Sequence, residues 1–189
     1  EQVAQVTQPK TKPSILELVS TVVVSATTSK FVAKEKFVVN KKRNASVKIN
    51  YLGDNFTEGF LSGTGKTEDP ISEQTLRYAK LRKSSVDGPI IAELGGAEKS
   101  ETTLSEMFSL MEKQKNGEDG VLLKDGYANI FYIRDQNDVL RTVGVCWYAD
   151  GWDVRANSVE RPHGWYDGNQ VFSRNSVLES SEPSASAQA

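Results

Sequence analysis

One stretch of this sequence, residues 143–172, holds the side chains best suited to chemistry. It contains the only cysteine, Cys146, and the only histidine, His163, of the 189 residues. Together with Asp153 they supply the types of a nucleophile, a general base and an orienting carboxylate. A fold that brought the three side chains together could use them for hydrolysis.

The local sequence argues against that enzyme. Cys146 is predicted to lie in the middle of a strand, opposite Arg155, with no helix N-terminus to lower the pKa of its thiol. His163 lies in a loop between Pro162 and Gly164. We therefore expect no catalytic residue here, with Cys146 as a small half-buried side chain and His163 as a solvated one.

Metal and cofactor sites are disfavoured as well. A single cysteine excludes an internal disulfide and a cysteine-rich zinc site, and a single histidine disfavours a histidine-based one. Asp150, Asp153 and Asp167 do not have the spacing of a calcium-binding loop. Residues 63–67 (GTGKT) resemble a phosphate-binding loop, but Phe60 stands where that motif requires glycine. We expect no metal and no cofactor.

Composition limits the class of partner. The net charge is −2, from 23 basic and 25 acidic residues, which gives no reason to expect nucleic acid. No apolar run reaches the ~18 residues of a membrane span, so we expect no direct membrane insertion. The length suits one domain with tails.

Large apolar residues alternate with mixed types along 143–172, and Asp150-Gly151 predicts a two-residue hairpin loop within it. That loop pairs Ala149 with Trp152, Tyr148 with Asp153, Trp147 with Val154, Cys146 with Arg155, Val145 with Ala156 and Gly144 with Asn157. Because side chains alternate between the faces of a strand, the hairpin has two different faces. The apolar face carries Val145, Trp147, Trp152, Val154 and Ala156, and the mixed face carries Cys146, Tyr148, Asp153, Arg155 and Asn157.

The segment after the hairpin is predicted to be a loop that adjoins the mixed face. Its polar positions are Arg161, His163, Tyr166, Asp167, Asn169 and Gln170. Trp165 and residues 171–172 are expected to anchor it to the core. Tyrosine, arginine, tryptophan and asparagine are side chains on which recognition surfaces often depend, so the hairpin and loop predict one binding patch.

The other elements follow from periodicity. We predict strands over residues 18–25, 31–40, 47–52, 129–134, 139–148 and 152–159, a basic turn at 41–44, a long loop over 53–70, a short helix or strand over 73–83 and a short buried segment over 89–94. The clearest helix spans residues 100–115, where Leu104, Met107, Phe108 and Met111 share one face. Thr103 and Glu106 fit a capping box at its start.

The stretch VGVCWYADGWDVRANSV, followed by GWYDGNQVFSRN, resembles the variable region of a diversity-generating retroelement target protein. The resemblance covers residues 45–178. In that family, error-prone reverse transcription alters adenines of a template repeat, so AAC codons yield scattered residue types between unchanged framework positions. The resemblance implies a C-type-lectin-type fold that binds ligands, often proteins, without chemistry. Many members end in Gly-Phe-Arg, whereas this chain has Val-Phe-Ser-Arg-Asn.

The resemblance implies a set of variable, ligand-binding positions. They are Cys146, Tyr148, Ala149, Asp150, Asp153, Arg155, Asn157, Arg161, His163, Tyr166, Asp167, Asn169 and Gln170. All of these types except Gln170 can arise from an AAC codon, so Gln170 would need another template codon.

We therefore expect a single α+β domain with a C-type-lectin-like fold, an irregular antiparallel sheet and one or two helices. Residues 1–29 are expected to form an N-terminal linker or strand extension, residues 30–178 the ligand-binding domain with its variable region at about 142–172, and residues 179–189 a disordered tail. The partner is an unknown protein or surface ligand, and display on a cell surface or virion is compatible with this interpretation. An invariant structural or adhesion module of a cell surface or virion remains the alternative.

Overall fold

The computed structural model describes residues 14–160 and 164–174, which form one α+β domain with a mixed sheet and few helices. Of the predicted linker or strand extension over residues 1–29, residues 1–13 lie outside the described residues, and the predicted tail over 179–189 lies entirely outside them. The strands are β1 (Leu16–Val24), β2 (Phe31–Val32), β3 (Ile49–Leu52), β4 (Thr67–Glu68), β5 (Gln74–Leu81), β6 (Asn129–Arg134), β7 (Leu140–Tyr148), β8 (Gly151–Ser158) and β9 (Gln170–Arg174). The helices are α1 (Ala33–Lys36), α2 (Asp54–Phe56), α3 (Asp87–Leu94), α4 (Ala97–Ser100) and α5 (Leu104–Lys113), and a π-helical turn spans Thr57–Leu61.

Seven strands form the main sheet in the order β1-β5-β9-β6-β7-β8-β3, and β2 and β4 form a separate pair. The expectation of an antiparallel sheet is wrong at two places, because β3 runs parallel to β8 and β6 runs parallel to β9. After the β7–β8 hairpin the chain returns as β9 between β5 and β6, and this insertion produces the parallel pair. The sheet is therefore mixed.

Strand β1 is an integral part of this sheet. It pairs antiparallel with β5 from Leu16↔Leu81 to Val24↔Gln74. This pairing confirms the predicted strand, whose valine and threonine residues favour extended backbone. Residues 16–24 thus belong to the folded domain, as a strand extension would.

Helix α5 confirms the predicted capping box. The Thr103 hydroxyl accepts a hydrogen bond from the Glu106 N–H at 3.1 Å, and the Glu106 carboxylate accepts one from the Thr103 N–H at 2.8 Å. Glu68 on β4 adds a carboxylate that accepts from the N–H groups of Leu104 and Ser105, both at 2.9 Å. These acceptors satisfy the free donors of the first turn and fix α5 against the small sheet.

Several boundaries differ from the sequence expectations. The predicted loop over residues 53–70 contains α2 and the π-helical turn, because Phe56 and Phe60, four residues apart, are both fully buried. Residues 31–40 form β2 and α1 instead of one strand, and the segment 89–94 is the end of α3. The ambiguous segment 73–83 is strand β5.

Buried side chains lie on both faces of the main sheet. One cluster includes Trp152, Val154, Phe131 and the apolar side of α5. The other includes Ile130, Tyr132, Trp165 and Ile90 of α3. Helix α3 and residues 164–169 therefore cover part of the second face, and the outer end of the β7–β8 hairpin extends beyond that cover.

Candidate functional site

The β7–β8 hairpin forms as predicted, but its loop lies one residue earlier. Tyr148 pairs with Gly151 and Trp147 with Trp152, so the two loop residues are Ala149 and Asp150. Ala149 carries the positive φ, at 51°. A Cβ at Gly151 would lie 3.0 Å from the backbone nitrogen of Asn50. The glycine is thus required by the close approach of β3 and not by the turn, and the predicted loop was wrong for this reason.

The assignment of side chains to the two faces of the hairpin is unaffected by the shift of the loop. Trp147 pairs with Trp152 in place of the predicted Val154, and Cys146 with Asp153 in place of Arg155, a shift of two residues. A shift of two leaves every side chain on its predicted face, because the strand repeat is also two. Val145, Trp152, Val154 and Ala156 are buried in the core, with Trp147 packed against it, which confirms the apolar face.

The segment 164–169 is tied to the sheet mainly through Trp165. The backbone of Trp165 exchanges two hydrogen bonds with Ser85, of 2.8 and 3.0 Å. The indole Nε1 of Trp165 donates to Oδ1 of Asp87 at 2.8 Å. The Tyr132 hydroxyl donates to the same oxygen at 3.0 Å. Burial, together with the Asp87 carboxylate, raises the pKa of Tyr132, so the hydroxyl keeps its proton and remains a donor. Trp165 is therefore an anchor, as the sequence predicted.

An open cavity of about 650 Å³ lies between the mixed face of the hairpin and this segment. Its volume is within the range typical of ligand sites, ~300–1,000 Å³. Seven of the predicted variable residues line it, namely Cys146, Tyr148, Asp153, Arg155, Asn157, Tyr166 and Asn169. The remaining lining residues are Gly126, Ala128, Gly144, Gly164 and Trp165.

The polar side of the cavity is formed by the Asp153–Arg155 pair, and the Tyr51 ring packs against Arg155. Asp153 is only 6% exposed; its Oδ1 accepts from Nδ2 of Asn50 at 2.7 Å, and its Oδ2 lies 3.3 Å from an Nη of Arg155. The Arg155 guanidinium also lies 4.7 Å from the centroid of the Tyr51 ring, a cation–π distance. The Arg155 side chain is 61% exposed while it contacts both Asp153 and Tyr51, so its remaining N–H groups are accessible as donors.

Burial raises the pKa of the Cys146 thiol to about 11, and the nearby Asp153 carboxylate adds to the rise. At neutral pH the sulfur is therefore a protonated, weakly nucleophilic thiol. The cross-strand neighbour of Cys146 also differs from the predicted one, because Cys146 pairs with Asp153 and not with Arg155.

The other predicted site residues fall into three groups. Ala149, Asp150 and Asp167 are exposed near the cavity without lining it. Arg161 and His163 lie outside the described residues. Gln170 is buried at 2% exposure, its Nε2 donates to the Val121 carbonyl at 2.8 Å, and it does not line the cavity.

Asn169 also has a structural role. It is 4% exposed, and its Oδ1 accepts from the Ala128 N–H at 2.9 Å, although it borders the cavity. Asn169 and Asp153 are both lining residues whose side-chain oxygens already accept hydrogen bonds within the protein. Substitution at either position would break a buried hydrogen bond. The other lining residues of the predicted variable set, namely Cys146, Tyr148, Arg155, Asn157 and Tyr166, are partly or fully exposed.

Sequence reasoning missed Asn50 and Tyr51 on β3 and the small residues Gly126 and Ala128. Asn50 and Tyr51 precede the hairpin by about 100 positions, and the parallel pairing of β3 with β8 that brings them to the site left no local pattern. Alternation in residues 47–52 predicted a strand but not its neighbour.

The described residues contain no group of three or more His, Cys, Asp or Glu side chains arranged to hold a metal ion. Within residues 14–160 and 164–174, no helix has the length and apolar character needed to cross a membrane. Comparison with protein-family models, with curated proteins and with solved structures found no match to this chain.

Proposed function

We propose that this chain is a ligand-binding display domain whose hairpin and adjoining loop are diversified by a retroelement. The ligand is a protein or another surface-exposed molecule, and the domain binds without chemical conversion. Diversification acts on AAC-derived codons at the exposed positions, and the apolar frame stays constant.

The observation that carries the proposal is the division of one hairpin into two faces. Trp152 and Val154 are fully buried, whereas Tyr148 is 45% exposed and the loop residue Tyr166 is 71% exposed. Substitutions at exposed positions of the mixed face therefore change the lining of the cavity and leave the contacts of the core intact. A surface under repeated diversification needs this separation, because most substitutions in a packed core cost stability.

The shape of the site supports a protein or another protruding ligand. The cavity is concave and is bordered by exposed tyrosines and an arginine, which contribute rigid rings and forked donors to recognition. Cys146 adds no reactive group, because its pKa of about 11 keeps the thiol protonated at neutral pH. These features favour binding over catalysis.

The proposal includes the fold type. The α+β domain would be a variant of the C-type-lectin-type fold, in which an irregular sheet displays the variable side chains. Irregularities occur in two of its strand pairs, between Leu18 and Ser20 in β1 and between Ile49 and Tyr51 in β3. The second of these lies on β3, whose Tyr51 ring packs against the Arg155 guanidinium.

The experiment is to sequence sibling copies of the gene and its neighbourhood. We expect substitutions concentrated at positions 146, 148, 149, 150, 155, 157, 161, 163, 166 and 167, and a nearby template repeat with AAC codons. Positions 145, 152, 154 and 165 should be constant. Substitutions spread evenly along the chain would contradict the proposal.

One observation favours the second candidate, an invariant structural or adhesion module. Asp153, Asn169 and Gln170 were assigned to the variable set, yet all three are buried and hydrogen-bonded within the protein. An invariant module would keep the outer face as constant as the core. It predicts siblings that agree at Tyr148, Arg155 and Tyr166, and no template repeat.

A further inference from the structure

We infer that the cavity, with the side chains this chain carries, receives one aromatic side chain from an exposed peptide segment of a partner protein. This inference rests on the proposed binding function and deepens it, because it names the chemistry of the ligand. It concerns this version of the site, whichever residues sibling copies carry.

The floor of the cavity is made of small or uncharged groups. Gly144 is buried on β7, Ala128 lies beside it, and the Cys146 thiol stays protonated at neutral pH. A Cβ at Gly144 would lie 3.1 Å from the edge of the Trp165 indole. The Trp165 indole therefore packs against the bare backbone of Gly144 and closes that end of the cavity. The rest of the floor, at Ala128 and Cys146, is an apolar depression that can accept a ring.

Aromatic side chains border this depression. The Tyr148 hydroxyl reaches the carbonyl oxygen of Gly126 at 3.4 Å, which places the Tyr148 ring across one side. Trp165 forms the opposite end, and Tyr166 lies exposed at the mouth. Rings arranged around a ring-sized space favour an aromatic guest, because edge-to-face and offset contacts add to simple burial.

The polar side suits the main chain of a peptide. Arg155 is held by Asp153 and by the Tyr51 ring, so its remaining N–H groups are positioned to donate to a carbonyl oxygen. Asn157 lies two residues further along β8 and lines the same cavity, where its carboxamide can both donate and accept. The Asp153 charge is already compensated by Arg155 and Asn50, so the site does not demand a cationic ligand. An aromatic side chain with its flanking peptide groups therefore suits both the apolar floor and the polar side of the cavity.

The test titrates the full 189-residue chain with N-acetyl-tryptophanamide, N-acetyl-leucinamide and indole, following tryptophan indole N–H signals by NMR. The Trp165 signal reports on the cavity, and those of Trp147 and Trp152, on the opposite face of the hairpin, serve as internal references. We expect saturable, roughly millimolar binding of N-acetyl-tryptophanamide that shifts Trp165 alone. It should bind about 3- to 10-fold more tightly than the leucine compound.

Two variants fill the cavity. Cys146→Leu adds bulk at the floor, and Gly164→Leu adds it at the mouth, where a new Cβ meets no atom within 4 Å. Each should weaken binding at least about tenfold, whereas Val139→Leu, at an exposed position just before β7 and outside the cavity lining, should leave it unchanged. Arg155→Met should weaken binding about 3- to 10-fold, the effect of one hydrogen bond. The matched control Arg82→Met, at an exposed arginine that does not line the cavity, should have none.

Equal binding of the leucine and tryptophan compounds, absence of saturation, or unchanged affinity in both cavity-filling variants would overturn the inference. Indole binding as tightly as N-acetyl-tryptophanamide would overturn the peptide part. The comparison of sibling genes tests the broader proposal separately, so the two can fail independently.

Discussion

The indole nitrogen Nε1 of Trp165 lies 2.8 Å from Oδ1 of Asp87, which joins the cavity-lining loop to the first turn of α3. Asp87 is fully buried and also accepts the Tyr132 hydroxyl. One carboxylate thus fixes three segments of the chain: α3, β6 and the loop at 164–169. The site depends on this contact because Trp165 closes one end of the cavity.

Replacing Asp87 with alanine should lower the free energy of unfolding by about 2–4 kcal/mol, since a buried donor that loses its acceptor costs ~1–3 kcal/mol. Chemical denaturation measures the change. Asp69→Ala is the matched control, because the Asp69 side chain is 85% exposed, and it should stay within ~0.5 kcal/mol. Similar losses in both variants would show that the Asp87 contacts do not hold the loop.

The two faces of the hairpin should differ in stability effects. Trp152→Ala should cost about 3–5 kcal/mol, because the side chain is fully buried and its Nε1 donates to the Gln114 carbonyl at 3.1 Å. Arg155→Ala should cost under ~1 kcal/mol, because the Arg155 side chain is 61% exposed and meets Asp153 through one contact of 3.3 Å, while Asn50 still donates to Asp153 in the variant. Urea denaturation of the two variants compares them directly, and equal losses would reverse the assignment of faces.

Gln170 should behave as a framework residue. Gln170→Ala removes the donor to the Val121 carbonyl and should destabilise the protein by about 1–3 kcal/mol. Asp167→Ala, at an exposed position three residues before Gln170, should change stability by less than ~0.5 kcal/mol. Thermal or chemical unfolding distinguishes them, and a neutral Gln170→Ala would return position 170 to the variable surface.

The Cys146 thiol should be slow to alkylate at neutral pH. Burial and Asp153 raise its pKa to about 11, so the thiolate fraction rises only as pH approaches that value. The rate of iodoacetamide modification should therefore keep increasing through pH 9 and 10 without a plateau. Asp153→Asn should move the profile to lower pH, because it removes a negative charge that raises the pKa. A plateau below pH 9 would contradict this account.

Local patterns in the sequence predicted much of the fold. Strand β6 begins and ends at the predicted residues, and the capping box of α5 forms as expected. Both depend on contacts within a few residues. The faces of the hairpin were also predictable, because alternation determines them even when the loop is placed one residue too late.

The parts that were missed depend on distant segments. Gly151 was assigned to the turn, but it serves the approach of Asn50, about 100 positions earlier. The burial of Gln170 involves its hydrogen bond to Val121, a residue 49 positions earlier that no local pattern connects with it. The sequence did set Gln170 apart in one respect, because glutamine cannot arise from an AAC codon. The helical turns at 54–61 were hidden by surrounding glycines and polar residues, despite the spacing of Phe56 and Phe60.

The most direct test of the central claim is a pair of combinatorial libraries scored for folding by protease resistance on a display platform. The outer library randomises Cys146, Tyr148, Arg155, Asn157 and Tyr166 with AAC-derived codons. The inner library applies the same codons to Val145, Trp152, Val154, Ala156 and Phe172. We predict that most outer-library members resist proteolysis like the parent, and that few inner-library members do. Equal loss of folded members from the two libraries would contradict a surface built for diversification.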